Sequence, residues 1–291
     1  MSRILHEVHG RRQRKFNLLI DLQKAYDTVD RDKLFNILYK RCRDDNDRAL
    51  VNLMKEIHSE SSVRVGKEVI NAQVGLPQGS VLSPMLFNVY LEEAIKSSRT
   101  LEDLRSRGDL LAFADDMLVC SNSQAEIAQA IKEIEAWRGP FNLKINKNKS
   151  EVLTNEKTAD INGVKCVKQV KYLGLRIELD LQQQRKTAVL QIQRNLNHLK
   201  WKLKDAEPDV KEQLMCCLVR SLLVYIGTPM VAAKVWKGDD IAREEVRMYR
   251  KIYRLSNTIS NKAIMNITTH MRPAKDIVEA LASKAWRMYK R

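Results

Sequence analysis

The period of the apolar positions changes along this chain, and each change marks an element. Phe16–Ile20 is a short run, apolar apart from Asn17, that stops at Asp21, the pattern of a buried strand. Asp30 stands where a helix cap belongs, and Leu34, Ile37 and Leu38 then share one face of a helix to about Arg41. A second helix is predicted over 47–58. Ser62–Val65 and the run 68–73 flank Gly66-Lys67 as two arms of a hairpin. Gly75-Leu76-Pro77-Gln78-Gly79-Ser80 is a loop by its Gly and Pro content. Ser83 as cap and Pro84 as first helical residue open a helix to about Ser98. The apolar runs 110–114 and 117–120 are separated by Asp115-Asp116, which predicts a tight hairpin carrying two carboxylates at its tip. An amphipathic helix follows over 124–137, then short strands around Leu143, Val152 and 171–177.

After Asp180 the texture becomes polar and helical: 181–204 is rich in Gln, Arg and Lys. Another helix starts at Pro208 and reaches Ile226, where Gly227 and Pro229 are expected to break it. The remainder reads as helical and basic, with no internal repeat and no low-complexity segment. The pattern gives three parts: a basic segment 1–15, a mixed α/β part 16–180 and an all-helical part 181–291.

Composition narrows the partners. Lys and Arg number 51 against 36 Asp and Glu, a formal net charge of +15. Such a chain faces a polyanion, nucleic acid or an anionic surface, or simply carries a solvated basic exterior. The best apolar stretch, 216–226, is interrupted by Arg220 and falls short of the roughly 20 residues of a membrane helix; no membrane partner and no secretory signal are expected. The five cysteines are odd in number and lack a Cys-x-x-Cys pair, which points to a reducing, intracellular compartment, nucleus or cytoplasm, and away from zinc. His6 and His9 have no second ligand pair nearby. The basic run 10–15 suits a phosphate contact or a solvated strand edge, a nuclear signal being a further reading.

The chemistry lies in the carboxylates. Asp21 ends one apolar strand and Asp115-Asp116 sit between two more. Neighbouring strands would gather these groups, and two-metal phosphoryl transfer needs such a cluster. Like charges held together repel unless a cation joins them. By itself, Asp-Asp also suits a solvated turn.

Three ordered motifs add to this. Asp21-Leu22-Gln23-Lys24-Ala25-Tyr26-Asp27, Gly75-Leu76-Pro77-Gln78-Gly79-Ser80-Val81-Leu82-Ser83-Pro84 and Ala112-Phe113-Ala114-Asp115-Asp116 resemble, in order and spacing, the catalytic motifs of reverse transcriptases. Lys149 in Asn146-Lys147-Asn148-Lys149-Ser150 looks like that family's fourth-motif lysine, and Tyr172-Leu173-Gly174 like its primer grip. Ser80 after Gln78-Gly79, and Phe113 before Ala-Asp-Asp, look most like the non-LTR (LINE-type) retrotransposon branch.

The resemblance implies an α+β fold: a right-hand polymerase palm, an antiparallel sheet with flanking helices, followed by an all-helical thumb, with the fingers largely missing. Only about 15 residues precede the first strand, and no endonuclease, RNase H or Cys/His-knuckle set is apparent, so the chain is expected to be part of a longer element protein or a shortened relic of one. The implied activity is an RNA-directed DNA polymerase that extends a primer 3′-OH with deoxynucleotides. Its partners would be an RNA template, a DNA or RNA primer and dNTPs; its cofactor two Mg²⁺ ions, with Mn²⁺ as a substitute. Asp21, Leu22, Asp115 and Asp116 would hold the metal. Asp21, Asp115, Asp116 and Lys149 would be catalytic, and Leu22, Tyr26, Gln78 and Gly79 would contact the dNTP.

Alternatives stand beside several roles. Tyr26 would block a ribose 2′-OH, or is a core aromatic. Gln78-Gly79 is also an ordinary turn, and Lys149 a lysine on a solvated loop beside Lys144 and Lys147. Asp27 and Asp30 read as turn and capping groups. Arg185, Lys186, Arg194, Lys200, Lys202 and Lys204 suit phosphate contacts, and Trp201 and Trp236 read as core before they read as stacking platforms. The competing function is a nucleic-acid-binding remnant of the same fold, catalytically silent or maturase-like.

Overall fold

The computed structural model describes residues 2–9, 14–59, 62–65, 68–71, 74–202, 206–267 and 273–289, and shows a mixed α+β fold. The chain divides into two compact units: Lys15–Val167, and a second made of Met1–Arg14 together with Lys168–Arg291. Helix α1 (Ser2–His9) belongs to the second unit; strand β1 (Phe16–Ile20) is the centre of the first.

All five residues of β1 are buried, polar Asn17 among them, as a strand in the middle of a covered sheet requires. Asp30 caps α2 (Arg31–Arg41), its side chain accepting from the Lys33 amide at 3.0 Å. After α3 (Asp45–Ser59), β2 (Ser62–Val65) and β3 (Glu68–Asn71) pair antiparallel. Next come α4 (Ser83–Lys96) and α5 (Arg99–Ser106). The hairpin β4 (Leu110–Phe113) and β5 (Asp116–Ser121) follows, then α6 (Gln124–Ala136), α7 (Arg138–Phe141), β6 (Glu151–Thr154), β7 (Asp160–Ile161) and β8 (Val164–Val167).

The strands form a six-stranded sheet in the order β4-β5-β1-β6-β8-β7. Every pairing in it is antiparallel except β6 with β8, so the sheet is mixed. The core between sheet and helices contains Leu18, Phe87, Tyr90, Ile131 and Trp137. The polar atoms of the two largest are satisfied: the Tyr90 hydroxyl donates to the Phe141 carbonyl at 2.9 Å and the Trp137 indole to Ser98 Oγ at 2.8 Å.

In the second unit, β9 (Gln169–Tyr172) and β10 (Leu175–Glu178) form a hairpin, followed by α8 (Leu181–Lys202). A continuous helical run then comprises α9 (Pro208–Leu214), a π-helical turn Met215–Arg220 and α10 (Ser221–Ala232). Helices α11 (Gly238–Ile252), α12 (Asn261–Ile267) and α13 (Ala274–Tyr289) complete it. α10 packs on α1, α11 and α13, and Arg220 forms a buried pair with Glu245 at 2.9 Å.

Several expectations are corrected. The units part at Val167/Lys168 rather than near Asp180, and the segment before β1 joins the helical unit. The hairpin β9–β10 goes with α8 because Gln184, buried in α8, accepts from the Glu178 amide at 2.7 Å and donates to the Arg176 carbonyl at 3.1 Å. Ser83 does not cap α4: Leu82 holds the cap position, and Ser83 Oγ donates to the Pro77 carbonyl at 2.7 Å. Leu143 is buried but lies in no strand; its neighbour Ile145 makes a single bridge to Leu22. Gly227 and Pro229 lie inside α10 without ending it. At Gly227 the helix passes so near α11 that a Cβ would stand 2.5 Å from Ile241 Cδ1, so close packing there outweighs propensity.

Asp209–Ala232 is long and apolar enough to cross a membrane by length and composition, with mean hydropathy 1.8, whereas the sequence pattern alone breaks at Arg220. Here that arginine lies in the run with a buried partner, and 44% of the most apolar window is covered by the protein itself. Trp236 is buried core. The side chains of Trp201, Lys200, Lys202 and Lys204, the turn Gly66-Lys67 and residues 10–13 of the basic run lie outside the described residues. Of that run, Arg14 pairs with Glu7 at 3.5 Å and Lys15 with Glu156 at 3.7 Å.

Candidate active site

Strand register assembles the carboxylates. In the β1–β5 ladder Ile20 faces Met117, so one step further sets Asp21 opposite Asp116. Directly opposed Cβ atoms are about 5 Å apart. β4 and β5 turn through Ala114 and Asp115, with Phe113 facing Asp116 and Ala114 at φ +55. A non-glycine residue at positive φ stores strain, typically at sites that need a side chain aimed.

The electrostatics agree with the register. Asp116 is held above the ordinary carboxylate value, first by burial, then by the charges of Asp115 and Asp21. No cation is paired with this trio among the described residues. Neither is there, among those residues, a group of three or more His, Cys, Asp or Glu side chains that would by itself hold a metal ion. The trio suits Mg²⁺ nevertheless: a hard cation takes one or two carboxylates and completes its shell with water and substrate phosphate, not with a protein cage. A leucine side chain offers no ligand atom, so Leu22 can contribute only its backbone oxygen.

A cavity of about 650 Å³ opens beside these groups. Asp21, Leu22, Tyr26, Gln78, Asp115 and Lys149 all line it. Six residues that the motifs select in four separate stretches of sequence thus share one cavity. Asp116 is not on this lining; it follows Asp115 at the start of β5. Gly79 lies in the Gln78 loop at φ +90, with nothing within 4 Å of the place its Cβ would take; the backbone conformation requires glycine, and the space above it is open. Tyr172, Leu173 and Gly174 are in the other compact unit, at the turn of the β9–β10 hairpin.

Tyr26 has two faces. Its ring stacks on Phe87, centroids 4.7 Å apart, and packs against the core. It also lines the cavity, and burial, then the charge of Asp115, raises its hydroxyl pKa. The core reading and the cavity reading are therefore both met.

The loop 75–80 is fixed by groups outside the motifs as well as within them. The Gly75 amide donates to the Val29 carbonyl at 2.9 Å and the Leu76 amide to the Tyr26 carbonyl at 2.8 Å. Gly75 has φ +84, and a Cβ on it would stand 2.8 Å from the Asp27 carbonyl oxygen. Buried Arg31 donates from Nε to the Gly75 carbonyl and from Nη1 to the His58 carbonyl, both at 2.6 Å. His58 is in the last turn of α3, where free carbonyls and the negative end of the helix dipole favour a cation. One arginine so ties α2, α3 and the loop together; a charged first residue in a helix gives no sequence signal for this.

The opposite wall is tied to Asp21. The Asn146 amide donates to the Asp21 carbonyl at 2.8 Å, the Gln23 amide to the Lys144 carbonyl at 2.8 Å, and buried Ser150 accepts from the Asp21 amide at 3.1 Å. Asn142 holds a left-handed conformation after α7 and donates to the Thr28 carbonyl at 3.0 Å. Of the lysines in this stretch, Lys144 and Lys149 line the cavity, whereas Lys147 pairs with Glu135 at 2.5 Å.

The family model described as reverse transcriptase (RNA-dependent DNA polymerase) matches residues 2–177. The COX1/OXI3 intron 2 protein of Saccharomyces cerevisiae is 32% identical over 77 residues, 26% of this chain and 9% of that protein. A retrovirus-related Pol polyprotein from the type-1 retrotransposable element R2 of Popillia japonica is 26% identical over 151 residues, 48% of this chain and 21% of the polyprotein. Among solved structures, telomerase from Candida albicans, in complex with a fragment of telomeric RNA, aligns over 96% of this chain and 54% of its own at 14% identity and TM-score 0.48. Apo telomerase from Candida tropicalis gives 13% identity and TM-score 0.46. The chain spans less than a quarter of the length of the two curated relatives and about half that of the solved chains.

Proposed function

Since the chain belongs to the reverse transcriptase family, we propose that it is the catalytic portion of an RNA-directed DNA polymerase, adding deoxynucleotides to a primer 3′-OH on an RNA template. The observation that carries this is the convergence of Asp21, Tyr26, Gln78, Asp115 and Lys149 on one cavity. Similarity to the R2 polyprotein supports an origin in a non-LTR retrotransposon protein.

Asp21, Asp115, Asp116 and the Leu22 backbone oxygen would hold two Mg²⁺ ions. The chemistry such ions would supply there is a lowered pKa for the primer hydroxyl and charge stabilisation for the departing pyrophosphate. The chain's own groups do the rest. Tyr26, fixed against Phe87, sets a wall against which a ribose 2′-OH would clash, so deoxynucleotides are selected. Gln78 and Gly79 border the nucleotide, the glycine leaving open the space a template base or nucleobase would take. Lys149 donates a proton or a positive charge to the leaving group. Tyr172-Leu173-Gly174 serves as primer grip. In this assignment the sheet and its helices are the palm and the helical unit the thumb.

Primer extension on an RNA template with dNTPs and Mg²⁺ tests the reading. Extension should fall by at least about a thousandfold in Asp115→Asn/Asp116→Asn, in line with the loss of transition-state charge stabilisation. Equal extension by that variant would sink the assignment. The intron-protein match favours a second reading, a maturase-like RNA-binding protein of the same fold. It would show template binding with steep salt dependence and no extension.

A further inference from the structure

The antiparallel ladder between β1 and β6 ends where Leu19 faces Glu151. Pairing resumes at the bridge between Leu22 and Ile145. One side advances three residues over that interval and the other six, so three residues are looped out of the ladder. Continued without the loop, the register would set Asp21 opposite Lys149. Directly opposed side chains share a face with their Cβ atoms about 5 Å apart, and opposite charges so placed attract one another. A regular rung would therefore lay the Lys149 ammonium on the Asp21 carboxylate.

Both backbone groups of Asp21 point to this side but bond elsewhere. The Asp21 amide donates to the Ser150 hydroxyl at 3.1 Å, and the Asp21 carbonyl accepts from the Asn146 amide at 2.8 Å. The hydroxyl stands in for the Lys149 carbonyl, and the Asn146 amide for the Lys149 amide. The Lys149 amide turns inward and donates, with that of Ser150, to the Asn146 carbonyl at 3.1 and 2.8 Å. Asp21 is thus fully bonded although no regular strand lies beside it. Ser150 is completely buried, and without its hydroxyl the acceptor left to the Asp21 amide is the ladder carbonyl of Lys149. In the structure Lys149 is exposed on the cavity that Asp21 lines, and among the described residues it makes no ion pair.

We propose that Ser150 is a positioning residue that keeps Lys149 off Asp21: its hydroxyl ends the ladder early, leaving the carboxylate open to a cation and the ammonium open to a leaving anion. The service this gives to the reaction rests on the polymerase reading; the loop geometry does not.

Hydrogen exchange on the metal-free full chain is the first measurement. Ser150→Ala removes the acceptor and adds no bulk. Whether the loop then frays or slips into the ladder, the Asn146 amide loses the Asp21 carbonyl, and its exchange should quicken about tenfold. Leu18 and Val119, which face each other across β1 and β5, should be unchanged and verify the fold. Mg²⁺ titration of the same chain is the second. Ser150→Ala should bind Mg²⁺ about tenfold more weakly, because an ammonium then competes for Asp21. Adding Lys149→Ala should restore the affinity, which removal of a lysine would not do for a serine that only fills space. Equal exchange at Asn146 with and without the hydroxyl overturns the proposal, as does affinity that stays low in the double variant. Should Ser150→Ala not fold, Ser150→Thr and Ser150→Val, equal in bulk, replace it: protection at Asn146 should survive in the first alone, and equal protection in both overturns the proposal. If the unaltered chain neither binds Mg²⁺ nor extends a primer, the polymerase reading fails by itself, and exchange at Asn146 alone decides what Ser150 holds.

Discussion

Arg31 and Gly75 set the position of the loop that carries Gln78. Arg31→Met would leave the Gly75 and His58 carbonyls without their donor, at a cost of about 2–4 kcal/mol. Gly75→Ala meets both a positive φ and the Asp27 carbonyl, costing about 2–3 kcal/mol. Amide exchange should report both as faster exchange at Gly75 and Leu76, whose amides are bonded to Val29 and Tyr26; unchanged protection there would refute the anchoring. Asp116 gives a prediction of opposite sign. Its folded pKa is raised above the ordinary 3.8 by burial, then by Asp115 and Asp21. The folded metal-free chain therefore binds that proton more tightly than the unfolded chain. Stability falls as pH rises from about the unfolded value through the raised one, and the penalty persists above it. With half-exposed groups screened by water, Asp116→Asn should raise the metal-free Tm at neutral pH by about 1–3 °C and shrink the further rise that Mg²⁺ produces. A lowered Tm in EDTA would count against like-charge repulsion. At this scale the sequence is informative where residue type and motif order single out a position, as with Asp21, Asp115 and Lys149, which line one cavity. It is silent where a side chain acts by reaching a distant carbonyl, as Arg31 does across 44 positions to Gly75.

Elements are legible where period and punctuation agree. β1, the Asp30-capped α2 and the β4–β5 hairpin follow their patterns. β7 and β8 escape the pattern although Asn162-Gly163 between them is a two-residue hairpin turn with φ +51 and +78, because the strands are so short that no alternation develops. α5 escapes it because only Leu101 and Leu104 mark its buried face. The hairpin β9–β10 has a similar turn made by less suitable residues. Leu173 and Gly174 both have positive φ, +46 and +79, a conformation that disfavours leucine by about 1 kcal/mol. Side chains from outside hold it: Tyr225 of α10 donates its hydroxyl to the Leu173 carbonyl, and Gln191 of α8 donates to the Gly174 carbonyl at 2.8 Å. Leu173→Asn should therefore stabilise the helical unit by about 0.5–1 kcal/mol and Tyr225→Phe destabilise it by about 1 kcal/mol, measured by urea unfolding. If Leu173→Asn also impairs extension, the leucine is kept for what it touches in the bound state, not for the turn.

At the scale of the molecule, the division at Val167 is hidden from the sequence because the second unit is discontinuous. α1 supplies it with buried Ile4, Leu5 and Val8, and packs on α10. Each such side chain contributes about 1.5–3 kcal/mol when buried. Deleting 2–14 should lower the melting transition of the 168–291 unit by several degrees and leave that of 15–167 in place, as resolved by calorimetry; equal shifts in both would contradict the separate units.

The same discontinuity has a consequence for the order in which the protein is made. α1 leaves the ribosome before residues 221–232 of α10 exist. At about 5–20 residues per second, it waits some 10–40 s, while 15–167, whose strands all lie within that stretch, can already collapse. During that interval the face bearing Ile4, Leu5 and Val8 has no native partner and is open to chaperones or to the neighbouring nascent chain on the same message. Slowed translation before α10 should thus lower the yield of soluble protein more than slowing after it.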